Sequence, residues 1–258
     1  MAEAKVLLSM GGSIATVQLH NPERYNALSR QVIEELAAAA RALAVNRHIR
    51  AVIVHGGEAK AFCSGADLKE RAGLNETEVF ETVHLLRETV NLYAHLPMPV
   101  IAAIHGTALG GGCELALACD IRVMAEDAQI GLTETSWAII PGAGGCTRLP
   151  QLVGPAMAKE LIFTARKLSA AAAERIGLAN RVVPRADLMA TVHEIAKEIA
   201  ANAPLAVRAA KRAMNGGLAE AAGLALEWEG YQSLIPTADR LEGLRAFAEK
   251  RPPVFRGE

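Results

Sequence analysis

Two carboxylates in this sequence have surroundings that suit acid–base chemistry. Glu114 lies in an almost wholly apolar stretch, residues 112–118, and Glu134 lies in Gly131-Leu-Thr-Glu-Thr, between two apolar runs. Two carboxyl groups among small and apolar residues are what general acid–base catalysis on a neutral group requires. The sequence is equally consistent with Glu114 as an N-terminal helix cap and with Glu134 as a loop or capping carboxylate. Their separation in space does not follow from the sequence.

Two glycine-rich stretches accompany these carboxylates. Residues 105–114 read HGTALGGGCE, and residues 140–145 read IPGAGG. Neither matches a nucleotide-binding fingerprint. Three glycines at a helix start leave backbone N–H groups open to a ligand, and the helix dipole adds partial positive charge there, which favours a developing oxyanion. The plainer alternative is a tight strand–helix turn with close packing.

The loop Phe62-Cys-Ser-Gly-Ala-Asp67 is a second candidate for exposed backbone donors, because its small side chains leave the N–H groups clear. Asp67 reads equally as the N-cap of the following turn. A serine nucleophile is not expected, since Ser64 lies in CSGAD and no GxSxG motif occurs. His105 is typical of a packed histidine at a strand end.

Composition narrows the class of protein. The 258 residues are 51% hydrophobic and 4% aromatic, with 27 Lys+Arg against 28 Asp+Glu and a formal charge of −1. This balance argues against a nucleic-acid protein with a globally basic surface. We expect no secretory signal, no transmembrane helix and no metal site. Four cysteines without CxxC spacing indicate buried free thiols and a cytoplasmic location.

The hydrophobic pattern predicts an α/β fold with largely parallel strands. Strands are expected at 14–19, 51–55, 100–104, 120–125 and 179–183. Helices are expected after Ser29 and at 77–95, 111–118, 144–165, 169–177, 188–202, 204–215 and 217–234. Ser29, Ser169 and Asp187 are predicted N-caps.

Six segments spread along nearly the whole chain form a specific set when taken together. They are FCSGAD at 62–67, ALGGGCELALACDIR at 108–122, GLTE at 131–134, IPGAGG at 140–145, IPTADRLEG at 235–243 and FAEKRPP at 247–253. The set resembles the crotonase (enoyl-CoA hydratase/isomerase) superfamily. It is most similar to the branch that contains methylglutaconyl-CoA hydratase, the AU-binding homologue.

The resemblance implies a fold and an assembly. The fold would be a crotonase-like spiral of ββα units over residues 1–190, which carries the active site, and a C-terminal helical oligomerisation region over residues 191–258. That region would make homotrimers, commonly paired into hexamers.

The resemblance also implies residue roles. Glu114 and Glu134 would be the catalytic acid–base pair, and the N–H groups of Ala66 and Gly111 would form an oxyanion hole for a thioester carbonyl. Coenzyme A, as part of the substrate and not a separate cofactor, would contact the residues Arg24, Ser64, Ala66, Asp67, Leu68, Lys69 and Lys250. Lys250 would come from a neighbouring subunit.

The activity implied is enoyl-CoA hydration, the reversible syn addition of water across the 2,3 double bond of a 2-enoyl-CoA in fatty acid metabolism. Methylglutaconyl-CoA hydration and double-bond isomerisation on the same scaffold stay open as alternatives. RNA binding is a third alternative, associated in a relative with a lysine-rich helix. The matching stretch here, residues 31–50, contains no lysine, which weakens that reading.

Overall fold

Short, continuous apolar runs form the centre of the fold. The computed structural model describes residues 3–216, 229, 233 and 237–258. Its strands are Val6–Gly11 (β1), Ile14–Leu19 (β2), Ala51–His55 (β3), Val100–Ile104 (β4), Thr107–Leu109 (β5), Ile121–Ala125 (β6), Gln129–Gly131 (β7), Leu168–Ser169 (β8) and Arg181–Val183 (β9). Strand β4 is buried along its whole length and β3 at all but its last residue, which suits strands covered on both faces.

The described chain also contains α-helices. They are Arg30–Ala44 (α1), Leu68–Arg71 (α2), Glu76–Ala94 (α3), Gly111–Ala118 (α4), Gly145–Val153 (α5), Pro155–Phe163 (α6), Ala170–Arg175 (α7), Leu188–Ala201 (α8), Pro204–Gly216 (α9) and Ala238–Glu249 (α10). Short 3-10 helices span Pro22–Arg24, Glu134–Trp137 and Arg185–Asp187. None of the helices in the described ranges is long and apolar enough to cross a membrane.

The strands form two sheets. A six-stranded sheet has the order β1-β2-β3-β4-β6-β9, in which only the β1–β2 hairpin is antiparallel. A three-stranded sheet has the order β5-β7-β8. In β4-β5-α4, a strand of the large sheet is followed by a strand of the small sheet and then by a helix. The same order recurs in β6 and β7, which are followed by the 3-10 helix Glu134–Trp137 and by α5. This is the predicted α/β spiral of ββα units.

Buried polar contacts fasten the helices to this framework. The Tyr93 hydroxyl of α3 donates to the carbonyl of Leu36 in α1 (3.1 Å). The ammonium of Lys211 in α9, nearly fully buried, is paired with Asp120 (2.6 Å) and also donates to the Met98 carbonyl (3.0 Å). Helix α9 is thereby tied to the turn between α3 and β4, which contains Met98, and to the turn between α4 and β6, which contains Asp120.

Most predicted elements are confirmed, and the differences have simple causes. The hydroxyls of Ser29 and Ser169 cap α1 and α7, but the Asp187 side chain makes no capping hydrogen bond because a 3-10 turn ends there. Strand β1 was not predicted, since most of its residues are exposed. The predicted helix at 217–234 lies outside the described residues except at positions 229 and 233, and the division at residue 190 stays a prediction.

Candidate active site

One cavity of about 540 Å³ is lined by both glutamates singled out in the sequence. Its wall combines backbone from the segment at 64–66 and the start of α4 with apolar side chains of α3 and of residues 137–140. The lining residues that matter here are Ala66, Gly111, Glu114, Glu134, Arg71, Val83, Leu86, Trp137, Ile139, Ile140 and Ala143.

Backbone pairing brings two separate segments together at this cavity. The Cys63 N–H donates to the Thr107 carbonyl (3.0 Å), and the Leu109 N–H donates to the Cys63 carbonyl (3.0 Å), so the chain at 62–64 runs parallel to β5. Helix α4 begins directly after β5. Gly112 allows this contact, because a Cβ there would overlap the Cys63 carbonyl oxygen.

Two backbone N–H groups face the cavity from these segments. Ala66 and Gly111 both line it, and a Cβ built on Gly111 would lie 4.0 Å from the Ala66 nitrogen. Within the described part of the chain, neither N–H has a hydrogen-bond acceptor. The Gly111 N–H is at the first turn of α4, where the helix itself offers no acceptor. The pair is therefore arranged to bind an oxygen atom that carries negative charge.

Glu114 is nearly fully buried and is held by a loop and not by its own helix. Its Oε1 accepts hydrogen bonds from the N–H groups of Ala143 (2.7 Å) and Gly145 (2.9 Å). It does not cap α4, so the capping interpretation is wrong. The glycine-rich stretch at 140–145 thus serves Glu114 with backbone donors.

Glu134 begins the 3-10 helix on the other side of the cavity. Its Oε1 would lie 3.5 Å from a Cβ built on Gly110, which places the carboxyl beside the start of α4. Its Oε2 is buried and has no hydrogen-bond partner among the described residues. A buried carboxyl oxygen without a partner is costly, and this one is free to meet a substrate.

Burial raises the pKa of both carboxyl groups. The pKa of Glu114 rises to about 7, because burial and the nearby Glu134 outweigh the amide hydrogen bonds and the cation of Arg148. Burial also raises the pKa of Glu134. Both carboxyl groups therefore keep a proton to higher pH than an exposed glutamate does.

Six of the seven residues predicted to contact coenzyme A lie in α2 or beside it. Ser64, Ala66 and Leu68 line the cavity of the glutamates, whereas Arg24, Asp67 and Lys69 line a separate, charged cavity of about 600 Å³. Asp67 caps α2 by accepting from the N–H groups of Lys69 and Glu70 and is paired with Arg24 (2.6 Å). Its predicted capping role is confirmed.

Other predicted residues lie elsewhere. Lys250 lies just after α10 and lines neither of these two cavities of its own chain. His105 is packed, with Nε2 2.9 Å from the Ala59 carbonyl oxygen. All four cysteines are free, but Cys146 is exposed, so the expectation of buried thiols is wrong for that residue. The described residues contain no group of three or more side chains that could hold a metal ion.

Two features of the site were not found from the sequence. Arg71 lines the cavity of the glutamates, whereas Lys69 lines the charged cavity. Helix α2 has only four residues, so its sequence has no periodicity from which the different positions of these two side chains could be predicted. The donors to Glu114 are backbone groups, which leave no signature in side-chain type.

Comparison with known proteins assigns this arrangement to a family. The family model described as enoyl-CoA hydratase/isomerase matches residues 9–258. The chain belongs to the enoyl-CoA hydratase/isomerase family. The crotonase resemblance read from the six sequence segments is therefore confirmed.

Relatives of this enoyl-CoA hydratase/isomerase chain include proteins of known name. YngF of Bacillus subtilis, whose name places it in the same family, is 51% identical over 246 residues, 95% of each chain. Human mitochondrial methylglutaconyl-CoA hydratase is 47% identical over 239 residues, 90% of this chain and 70% of that protein. The crystal structure of an enoyl-CoA hydratase from Bacillus anthracis superposes with a TM-score of 0.96 at 47% identity, covering 98% of this chain and 100% of the other.

The raised pKa of Glu114 predicts a stability effect that depends on pH. A carboxyl whose pKa is raised by folding stabilises the fold fully only below its unfolded pKa, and this contribution is lost as the pH rises through its folded pKa, here about 7. Glu114→Gln keeps an oxygen for both amide donors and carries no charge. We expect it to raise the free energy of unfolding at pH 8 by about 1–3 kcal/mol, and by much less at pH 5.

Urea unfolding at both pH values and one protein concentration measures this effect. Glu88→Gln, which changes an exposed carboxylate of α3, is the control and should behave as the wild type. A Glu114→Gln variant that is less stable than the wild type at both pH values would contradict the prediction.

Proposed function

We propose that this protein is an enoyl-CoA hydratase, which adds water reversibly and with syn geometry across the 2,3 double bond of a 2-enoyl-CoA thioester. The observation that carries the proposal is the joint presence, in one cavity, of two carboxyl groups, one buried and one half-buried, and of two N–H donors that have no acceptor among the described residues. Membership of the enoyl-CoA hydratase/isomerase family supports a reaction of this class.

The backbone donors would act on the thioester oxygen. As a water oxygen bonds to C3, the electrons of the double bond move towards the carbonyl, and negative charge builds on its oxygen. The N–H groups of Ala66 and Gly111, with the dipole of α4 behind Gly111, would stabilise that charge by a few kcal/mol, about the contribution of other oxyanion holes.

The two carboxyl groups would accept and donate the protons of the reaction. Glu114, ionised and fixed by its two amide donors, would accept a proton from the water that attacks C3. Glu134, protonated, would deliver its proton to C2 from the same side of the double bond. One proton enters the pair as one leaves it, and the reverse sequence dehydrates a 3-hydroxyacyl-CoA.

The second carboxyl group favours hydration over isomerisation. Moving a double bond needs one base and the oxyanion hole, because a single proton leaves one carbon and returns to another. Adding water needs a second group to hold and activate the water. Glu114 is buried and Glu134 half-buried, and burial raises the pKa of each, so the site contains the additional group.

The charged cavity would hold the nucleotide end of coenzyme A. Lys69 and Arg24 would face its phosphates, while the backbone at 64–68 follows the pantetheine arm between the two cavities. Asp67 already pairs with Arg24, so Lys69 is the less compensated cation of the two. Lys250 from a neighbouring subunit would complete the contact in the proposed trimer or hexamer.

Loss of either carboxylate tests the reaction. Glu114→Gln and Glu134→Gln should each reduce kcat for crotonyl-CoA hydration by about 10²–10⁴-fold, the usual contribution of a positioned acid or base. The loss of enoyl-thioester absorbance measures the rate. The exposed Glu88→Gln is the control, and full hydration rates in both active-site variants would refute the assignment.

A second candidate substrate is a 2-enoyl-CoA whose acyl chain ends in a carboxylate, such as the substrate named for the human relative. Arg71 is half-buried in the wall of the cavity, close to apolar side chains such as Val83 and Leu86. Among the described residues its guanidinium has no ion-pair or hydrogen-bond partner. A carboxylate on the acyl chain would supply one.

Arg71→Met tests this preference. We expect kcat/KM for 3-methylglutaconyl-CoA to fall at least about tenfold more than kcat/KM for crotonyl-CoA, since a charge-assisted hydrogen bond is lost only with the first. Lys69→Met, on the other side of α2, is the matched control and should lower both values together. If Arg71→Met lowers kcat/KM equally for both substrates, Arg71 does not recognise the carboxylate of the acyl chain.

The remaining expectations stay predictions. A cytoplasmic location is predicted from the free cysteines, and the human relative is named as mitochondrial. Participation in fatty acid metabolism follows from the proposed substrate class. RNA binding has no support from a particular feature of the described residues, and we do not propose it.

A further inference from the structure

The loop before α5 carries more than the two donors to Glu114. Arg148, one turn into α5, reaches back over this loop: its Nη1 donates to the Ala143 carbonyl (2.9 Å) and its Nη2 donates to Oδ1 of Asn91 (2.7 Å). Ala143 therefore has its N–H bonded to Glu114 and its carbonyl bonded to Arg148. Both polar groups of this one residue are fixed, in different directions, by charged side chains.

The conformation of Gly144 leaves space for the guanidinium of Arg148. It adopts a left-handed conformation with φ of +108°, and a Cβ there would overlap Nη1 of Arg148. A side chain at 144 would thus displace the arginine and strain the backbone. The Gly144 carbonyl accepts from the N–H groups of Thr147 and Arg148, which closes the first turn of α5 against the loop.

Asn91 connects the loop to a rigid element. It lies near the end of α3, a helix of 19 residues whose side chains Val83 and Leu86 line the cavity. The bond from Arg148 therefore links the loop that holds Glu114 to the helix that lines one side of the cavity. Arg148 and Asn91 are both partly buried, which limits competition from water.

We propose that Arg148, supported by Asn91, is a positioning residue of the reaction: it holds the Ala143 carbonyl away from Glu114, so that the N–H groups of Ala143 and Gly145 stay directed at Oε1. The inference rests on the proposed function for its kinetic consequence, but its structural consequence can be measured without substrate. Arg148 lines neither of the cavities described above and so acts through Glu114.

The charged and polar groups around Glu114 determine in which direction its pKa changes when Arg148 is removed. Burial and Glu134 raise the pKa of Glu114, whereas the Gly145 and Ala143 amides and the Arg148 cation lower it. Among the described residues, Cys113 and Cys146 also interact electrostatically with Glu114, and both are thiols whose pKa is raised. Loss of Arg148 removes a cation and loosens both amide donors. The pKa of Glu114 must then rise, and the ionised base must form at higher pH.

Kinetics and infrared spectroscopy together test the proposal on the full-length protein. A protonated carboxyl group has an infrared band distinct from that of a carboxylate, and the band absent in Glu114→Gln identifies Glu114. In Arg148→Met we expect its titration midpoint to rise by about half a pH unit or more. We also expect kcat for crotonyl-CoA to fall about 10- to 100-fold, with KM changed less than kcat and the acidic limb of the kcat profile moved to higher pH.

Two further variants and a control sharpen the result. Arg148→Lys keeps the charge and one donor to Ala143 and should restore part of both losses. Asn91→Leu removes only the support and should move both readouts in the same direction by less. Arg87→Met removes a cation of α3 that faces Arg148 and should leave the Glu114 midpoint unchanged.

The outcomes separate the two proposals. If wild-type protein hydrates no enoyl-CoA, the proposed function fails, and the infrared midpoint alone decides the role of Arg148. If the wild type is active but Arg148→Met leaves the midpoint in place, the positioning role is wrong, even where kcat or stability falls. If Arg148→Met does not fold, the midpoints in Arg148→Lys and Asn91→Leu decide in the same way.

Discussion

The parallel pairing of the chain at Cys63 with β5 is the contact on which the site depends. It places the Ala66 N–H beside the first turn of α4, where Gly111 offers a second N–H that has no acceptor within residues 3–216 and 237–258. Because α4 begins directly after β5, the same pairing sets the position of Glu114 three residues further on. Gly112 is the residue that permits the approach, since any side chain there would meet Cys63.

Around this contact the fold keeps two carboxyl groups in surroundings that oppose their ionisation. Burial costs stability when a carboxylate is charged, and here the cost is reduced for Glu114 by amide donors from the loop at 143–145. Glu134 keeps one oxygen without a hydrogen-bond partner in the part of the chain that the structure describes. In the proposed reaction Glu114 would act as the base and Glu134 as the acid.

The sequence predicted the framework better than the details of the site. Strands β3 and β4 were found because continuous apolar runs mark strands buried on both faces, whereas β5 and β7, with three residues each, have no periodicity to read. Glu114 and Glu134 were found because carboxylates stand out in apolar stretches. The donors to Glu114 and the placement of Arg71 depend on backbone geometry and helix facing, which residue types alone do not encode.

The most direct test of the central claim is the fate of isotopes in one turnover. With crotonyl-CoA in deuterium oxide enriched in oxygen-18, a hydratase that uses both glutamates must give 3-hydroxybutyryl-CoA. That product would carry one oxygen-18 at C3 and one deuterium at C2, added to the same face. Mass spectrometry and NMR read both labels. Deuterium incorporation without oxygen-18 would instead indicate isomerase chemistry with a single base and would contradict the account.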